Sequence, residues 1–151
     1  AKPVVGMWAP TSRTIEDSED VVKWDRQHVN SDQKYFEWTA GADRIKILKN
    51  GYYFVTADVR KGGLPLECCV GGTMKVVKTI ASSGDTEIDF TQCLASEIGL
   101  GLVNLSCSAV VSINSPGTGI RVLDTDSVSY VVGATGSDGP YHTSLIIYKL
   151  N

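Results

Sequence analysis

Short runs of β-branched and aromatic residues, separated by Gly, Asn, Asp and Pro, follow one another along this chain from end to end. Runs of this kind form strands, and the residues between them favour turns. In the segments 45–47 and 55–59, apolar residues alternate with charged or polar ones, as in a strand with one face on a core and the other in water. No segment of the sequence has a persuasive helical pattern. The chain is therefore predicted to be all-β.

About ten short strands without intervening helices predict antiparallel sheets packed as a β-sandwich or jelly roll. The Asn50-Gly51 pair lies between two apolar runs and predicts a type I′ hairpin turn, because that turn needs positive φ at both central residues. The two flanking strands are expected to pair. The sequence leaves the strand order within 62–118 open. Strands are expected near residues 4–8, 21–26, 34–38, 44–48, 51–60, 65–70, 74–80, 86–92, 103–113, 119–132 and 142–150.

Length and charge narrow the class of protein. The 151 residues suffice for one domain, 1–151, that buries roughly two-thirds of its unfolded surface. A net charge of −3 argues against a nucleic-acid partner, which needs clustered Lys and Arg. The longest run without a charged residue, 98–120, is interrupted by Asn, Ser and Pro, so no membrane span is expected. The absence of an initiator Met fits a processed secreted chain as well as a trimmed one.

Four cysteines, Cys68, Cys69, Cys93 and Cys107, permit three pairings. Side chains alternate along a strand, so at most one of the adjacent pair is expected to face a core. Two alternatives stay open, namely buried thiols and one or two disulfide bonds. A zinc site is disfavoured because no Cys-x-x-Cys spacing is present and neither histidine lies near these cysteines.

Catalytic groups are sparse. The chain has two histidines, His28 and His142, and no Gly-x-Ser-x-Gly motif, whereas nucleophilic catalysis usually needs a base beside the nucleophile. The glycine-rich stretch 133–139 lacks a phosphate-binding lysine and is read as a loop. The protein is therefore not expected to be an enzyme.

The terminal run Leu145-Ile146-Ile147-Tyr148 is apolar at four consecutive positions. A strand that is apolar on both faces must be covered on both, either within a sandwich or by a second subunit. This run is the first indication of oligomerisation.

Several residues together resemble the signature of the C1q-type globular head and its tumour necrosis factor (TNF) relatives. The two halves of that signature are displaced by three residues, as if a short insertion lay around 35–38. Near the end of the chain, 122–128 and 144–148 resemble two further motifs of the family, with Thr125 and Ser144 in place of Gly. No collagen repeat is present. The residues that fit the signature are Trp24, Asn30, Tyr35, Trp38, Ile45, Gly51 and Tyr53.

The resemblance implies a jelly roll that assembles as a homotrimer around a threefold axis. Its candidate interface residues are Tyr53, Tyr130, Leu145, Ile147 and Tyr148, because aromatic side chains bury a large area with few rotamers to freeze. The alternative is that they pack only within one subunit. No cofactor is expected to be required, and Asp124 and Asp126 are the candidate ligands for calcium.

The resemblance also implies an extracellular recognition module, lectin-like or of innate immunity, that binds glycans or other surface ligands. A glycan site needs an exposed aromatic residue beside polar groups, for which Trp8, Trp38 and Tyr141 are candidates. Asp138, in the glycine-rich loop, is a further candidate, since loops on a rigid scaffold often carry binding residues. The alternative is a cytokine-like trimer that engages a protein receptor in the grooves between subunits.

Overall fold

The structure, a computed structural model, describes residues 2–8, 13–15, 20–62, 71–80, 86–96, 103–124, 129–132 and 143–151. These residues form β-strands and no α-helix, which confirms the all-β prediction. The strands are β1 (Val4–Trp8), β2 (Arg13–Ile15), β3 (Asp20–Val21), β4 (Arg26–Asn30), β5 (Phe36–Glu37), β6 (Ile45–Ile47), β7 (Gly51–Gly62), β8 (Gly71–Ile80), β9 (Thr86–Ser96), β10 (Val103–Ile113), β11 (Thr118–Asp124), β12 (Ser129–Val132) and β13 (Ser144–Lys149).

The long strand β7 organises the first sheet. One edge of β7 pairs with β10, and the other pairs first with β13 and then with β12. Beyond β13 lie β1 and then β4, while β2 pairs with β12. All these pairings are antiparallel, so the main order of the first sheet is β4-β1-β13-β7-β10.

The second sheet has the order β5-β6-β11-β8-β9, and the short strand β3 also pairs with β11. The two sheets pack face to face as an antiparallel sandwich, and this confirms the predicted jelly roll.

Alternation along the strands builds the core between the sheets. Every second residue of β7 from Tyr53 to Val59 is at most 2% exposed, since successive side chains of a strand point to opposite faces. Val76, Ile120 and Val122 are buried in the same core from the second sheet. The strands are therefore apolar on the side that faces the opposite sheet.

The predicted Asn50-Gly51 hairpin was wrong in its pairing. Among the described strands, β6 pairs with β5 and β11, whereas β7 belongs to the other sheet. The turn therefore carries the chain from one sheet to the other. Gly51 has a φ of +144°, a backbone conformation that L side chains rarely adopt, so glycine is favoured at this position.

Two predicted strands are each divided in the structure. The segment 22–25 is irregular, and the strand that follows it, β4, was not predicted because Arg26-Gln27-His28-Val29-Asn30 lacks apolar alternation. The predicted strand 119–132 divides into β11 and β12, which lie in different sheets. The predicted strand 65–70 lies outside the described residues.

Cys107 lies in the core on β10 and is disulfide-bonded. Of the alternatives open for the cysteines, at least one disulfide bond is therefore present. Cys68 and Cys69 lie outside the described residues, and the side chain of Cys93 on β9 is not described. The pairing stays open.

Candidate functional site

The outward face of the first sheet carries an apolar row that crosses four strands. Residues directly opposite each other in antiparallel strands project from the same face. Tyr52 on β7 and Ile146 on β13 are two positions away from members of the row, so they share its face on either side. We call the row and these two residues the aromatic band. The row consists of Val4, Tyr148, Phe54 and Val110.

The aromatic band is apolar surface that the described part of the chain leaves uncovered. Tyr52 and Val110 expose 57% and 56% of their surface. Phe54 and Tyr148 are half-buried because their rings stack, with centroids 5.1 Å apart and planes 29° apart. Contiguous exposed apolar residues of this kind mark interaction sites more often than scattered ones do.

The same face becomes polar along the strands. Ser108 donates a hydrogen bond to Thr56 through their hydroxyls, at 3.0 Å, and Asp58 beyond them is exposed. On β1, a Cβ at Gly6 would overlap the imidazole of His28, so glycine at this position lets the His28 ring lie over the backbone. The face therefore has an apolar end and a polar end.

The structure separates the predicted trimer residues into two groups. Tyr148 belongs to the aromatic band. Tyr53, Leu145 and Ile147 have no exposed surface within a single chain, so the alternative of packing within one subunit describes them and they cannot form an outward contact. The side chain of Tyr130 on β12 is not described. The trimer itself stays a prediction.

Two residues of the aromatic band that the sequence prediction did not include, Tyr52 and Phe54, had a signal in the sequence. Apolar Val55, Ala57 and Val59 alternate with polar residues, so the odd positions of this strand face the core. Extended backwards, this alternation buries Tyr53 and turns its two neighbours outward. For β13 no such signal exists, because both of its faces are apolar.

A second candidate site is a polar pocket at the edge of the sandwich. It lies between β4 of the first sheet and β5 of the second, and has a volume of about 370 Å³. Small-molecule pockets have volumes of about 300–1,000 Å³. We call it the Trp38 pocket. Its lining residues are Gln27, Asn30, Gln33, Phe36, Glu37 and Trp38.

Asn30 holds the Trp38 pocket together. Its Nδ2 donates hydrogen bonds to Gln27 Oε1 at 3.3 Å and to the Phe36 carbonyl at 3.1 Å. Its Oδ1 accepts a hydrogen bond from the Asp32 N–H at 3.3 Å. One amide therefore closes the turn between β4 and β5.

The floor of the pocket is anchored in the core. Phe36 is 1% exposed and meets Tyr53 edge to face, with ring centroids 5.9 Å apart. The Tyr53 hydroxyl donates a hydrogen bond to the Lys49 carbonyl at 2.7 Å. Burial, and to a smaller extent Tyr35, raise the pKa of Tyr53 to about 12.

Trp38 is held from the other side by the turn that follows it. Its indole Nε1 donates a hydrogen bond to the Ala42 carbonyl at 3.3 Å. The next residue, Asp43, pairs with Arg44 at 2.9 Å and with Arg121 of β11 at 3.7 Å. The hydrogen bond from Arg44 is the main cause that lowers the pKa of Asp43. The indole ring is thus fixed in place at the pocket wall.

The other predicted site residues are less fully described. The side chains of Trp8, at the end of β1, and Asp124, at the end of β11, are not described. Asp126, Asp138 and Tyr141 lie outside the described residues, so calcium binding and the loop site stay predictions. Within the described ranges, no group of three or more His, Cys, Asp or Glu is placed to hold a metal ion. No helix of the described residues is long and apolar enough to cross a membrane.

The strand order and the antiparallel sandwich are those of a TNF/C1q-like jelly roll. Murine APRIL is similar over 99% of this chain and 100% of its own, with a TM-score of 0.72 and 15% identity. Eiger TNF from S. frugiperda is similar over 99% and 93%, with a TM-score of 0.71 and 13% identity. The globular domain of zebrafish complement 1qA is similar over 98% and 96%, with a TM-score of 0.65 and 9% identity. At these identities the likeness shows the fold alone.

The sequence itself matches one family model over residues 5–87, more than half of the chain. The chain belongs to that family, which is described as a domain of unknown function (DUF8789). No curated protein matches the sequence.

Proposed function

We propose that this chain is a non-enzymatic, extracellular recognition module that assembles as a homotrimer through the aromatic band and binds glycans or other surface ligands. The observation that carries the proposal is the aromatic band on the outward face of the first sheet. The fold shared with the complement 1qA globular domain is consistent with such a module.

Uncovered apolar area is unfavourable in water, and its burial contributes about 25 cal/mol per Å². The band spans four neighbouring strands, so it is about 14 Å wide between the outer two. Tyr and Phe at its centre are residue types enriched at interfaces. The hydroxyls of Thr56 and Ser108 border it, which gives an apolar centre with a polar rim.

Trimerisation also increases the strength of binding above that of a single shallow site. Linked copies of a weak site gain avidity when they meet a surface that repeats the ligand. Glycans on a cell surface are ligands of that kind, and this favours a lectin-like role for a small domain.

The first test is the oligomeric state of the purified protein by sedimentation velocity. We expect a species of three times the chain mass of 16.2 kDa. Val110→Asp places a charge within the aromatic band, beside Phe54, and should give monomers. Val110 is 56% exposed within the single chain, so the fold should tolerate the change. Ile88→Asp is the matched control, because Ile88 is 40% exposed but lies on β9 of the other sheet, and it should leave the trimer intact.

A stable wild-type monomer at micromolar concentration would contradict the proposal. A trimer that survives Val110→Asp would show that assembly uses another surface. For the ligand, the trimer should bind a glycan array, and a blank array at micromolar trimer would exclude the lectin-like version.

The alternative is a cytokine-like trimer that binds a protein receptor. The similarity of the fold to murine APRIL and to Eiger TNF over nearly the whole chain favours it. In that case the array stays blank while the trimer forms, and an exposed apolar strip that crosses two subunits becomes the expected receptor contact.

A further inference from the structure

We propose that the Trp38 pocket binds an uncharged saccharide of one or two rings. This inference rests on the proposed recognition function and gives it a site and a ligand class. It starts from the position of the pocket, since β4 and β5 are the outermost strands of their sheets at the same edge of the sandwich.

The polar groups of the pocket suit hydroxyl groups, each of which both donates and accepts hydrogen bonds. Gln27 Oε1 accepts from Asn30, so its amide nitrogen points the other way and offers donors. Glu37 is exposed and offers an acceptor carboxylate. A donor on β4 and an acceptor on β5 can engage neighbouring hydroxyls of one ring.

Trp38 supplies the apolar wall. Its only N–H is already directed to the Ala42 carbonyl, so the indole contributes ring area and not a further donor. One face of a pyranose ring presents mainly C–H groups, which pack on the electron-rich face of an aromatic ring. The half-buried Trp38 is therefore a stacking surface beside the polar groups.

Charge selects an uncharged ligand. Of the six lining residues, only Glu37 carries a formal charge, and its cross-strand neighbour is Lys46 on β6. Cross-strand opposite charges partly offset each other. None of these six described residues is a cation that could hold a sulfate or carboxylate group of an acidic sugar.

The pocket is also built in advance, since Asn30, Phe36 and Trp38 are each tied to fixed partners. Fixing a site before binding lowers the entropic cost of the complex. Moreover, the three-residue displacement in the family signature falls around 35–38, on residues that line the pocket. One of the features that distinguish this sequence from the family pattern thus lies beside Phe36, Glu37 and Trp38 of the cavity.

The test is titration of the ¹⁵N-labelled full chain with neutral mono- and disaccharides, followed through the tryptophan indole N–H signals. The Trp38 signal, assigned with Trp38→Phe, should shift on binding, whereas that of Trp24, 1% exposed, should not. Glu37→Ala should weaken binding about tenfold or more, because a hydrogen bond to a charged group is lost. Glu37 is exposed, so this variant should fold, and its amide spectrum checks that it does.

Lys46→Gln is the matched control, because it removes the other charge of the cross-strand pair without touching the pocket lining. We expect its affinity to stay within about twofold of wild type. Trp38→Ala should weaken binding several-fold through loss of stacking.

Three results would overturn the inference in different ways. Wild-type saccharide binding that is unchanged in Glu37→Ala and Trp38→Ala would place the site elsewhere and leave the proposed function standing. Binding of acidic saccharides alone would refute the ligand class. If the wild-type protein bound no saccharide on the array and none in the titration, both the glycan-binding role and the proposed pocket site would be refuted.

Discussion

Replacing Asn30 with alanine tests whether one side chain holds the edge of the sandwich together. The Asn30 amide makes three hydrogen bonds, to Gln27, the Phe36 carbonyl and the Asp32 N–H. The alanine variant loses all three and leaves their partners part-buried. It also frees the Gln27 side chain, so the Trp38 pocket loses the fixed orientation of a donor.

The cost follows from the geometry. A neutral hydrogen bond contributes about 1 kcal/mol net, and two of these three are long at 3.3 Å, so each of those should contribute less. We therefore expect Asn30→Ala to lower the free energy of unfolding by about 2 kcal/mol. For a chain of this length, that corresponds to a fall in the unfolding midpoint of about 4–8 °C.

The assay is thermal and urea unfolding at a fixed protein concentration, because assembly would make the midpoint depend on concentration. Asn114→Ala is the matched control. The exposed Asn114 Oδ1 accepts one hydrogen bond from Ser112 Oγ at 3.2 Å, and its removal should cost less than about 0.5 kcal/mol. Equal stability of the two variants would refute the role given to Asn30.

Three further changes test other parts of the structure. Tyr53→Phe removes the hydrogen bond to the Lys49 carbonyl and should lower the free energy of unfolding by about 1 kcal/mol. Because folding raises the pKa of Tyr53 from 10.0 to about 12, the wild-type free energy of unfolding should fall between pH 10 and pH 12, and the contribution of Tyr53 to that fall should be absent in the variant. Gly51→Ala forces an L side chain to a φ of +144° and should lower the free energy of unfolding by about 1–3 kcal/mol, measured by thermal unfolding, whereas an unchanged stability would refute the backbone strain. Reduction of the disulfide, or Cys107→Ala, should lower the free energy of unfolding by about 2–5 kcal/mol. Urea unfolding curves with and without reductant should differ by that amount for the wild type, and this difference should be lost in the variant.

Local features of the sequence predicted most of the strands. The strand 103–113 has the predicted bounds, because its alternation and the turn residues beyond it act over a few positions. Pairing is different, since it depends on residues distant in the chain. Asn50-Gly51 has the residue types of a hairpin turn. Whether the chain forms a hairpin there or passes to the other sheet depends on the strands that pair with its two sides, and β6 pairs with β11 while β7 pairs with β10.

The candidate sites show the same division. Trp38 could be selected from the sequence as an aromatic residue with polar neighbours. Gln27 and Asn30 join it only because β4, a polar strand without alternation, pairs at the edge of the first sheet. In β13 the run 145–148 is apolar on both faces of the strand. The sequence could therefore indicate an interface without identifying which side chains form it.

The two proposed surfaces are compatible because they are built from different residues and are centred on different strands. The aromatic band is centred on β13 and β7, and it shares no residue with the Trp38 pocket. The pocket lies at the edge beyond β1, between the outermost strands of the two sheets. A trimer built on the band would therefore leave one pocket open on each subunit. Three weak saccharide sites in one particle would bind a glycan-covered surface through avidity, and each proposal can still fail without the other.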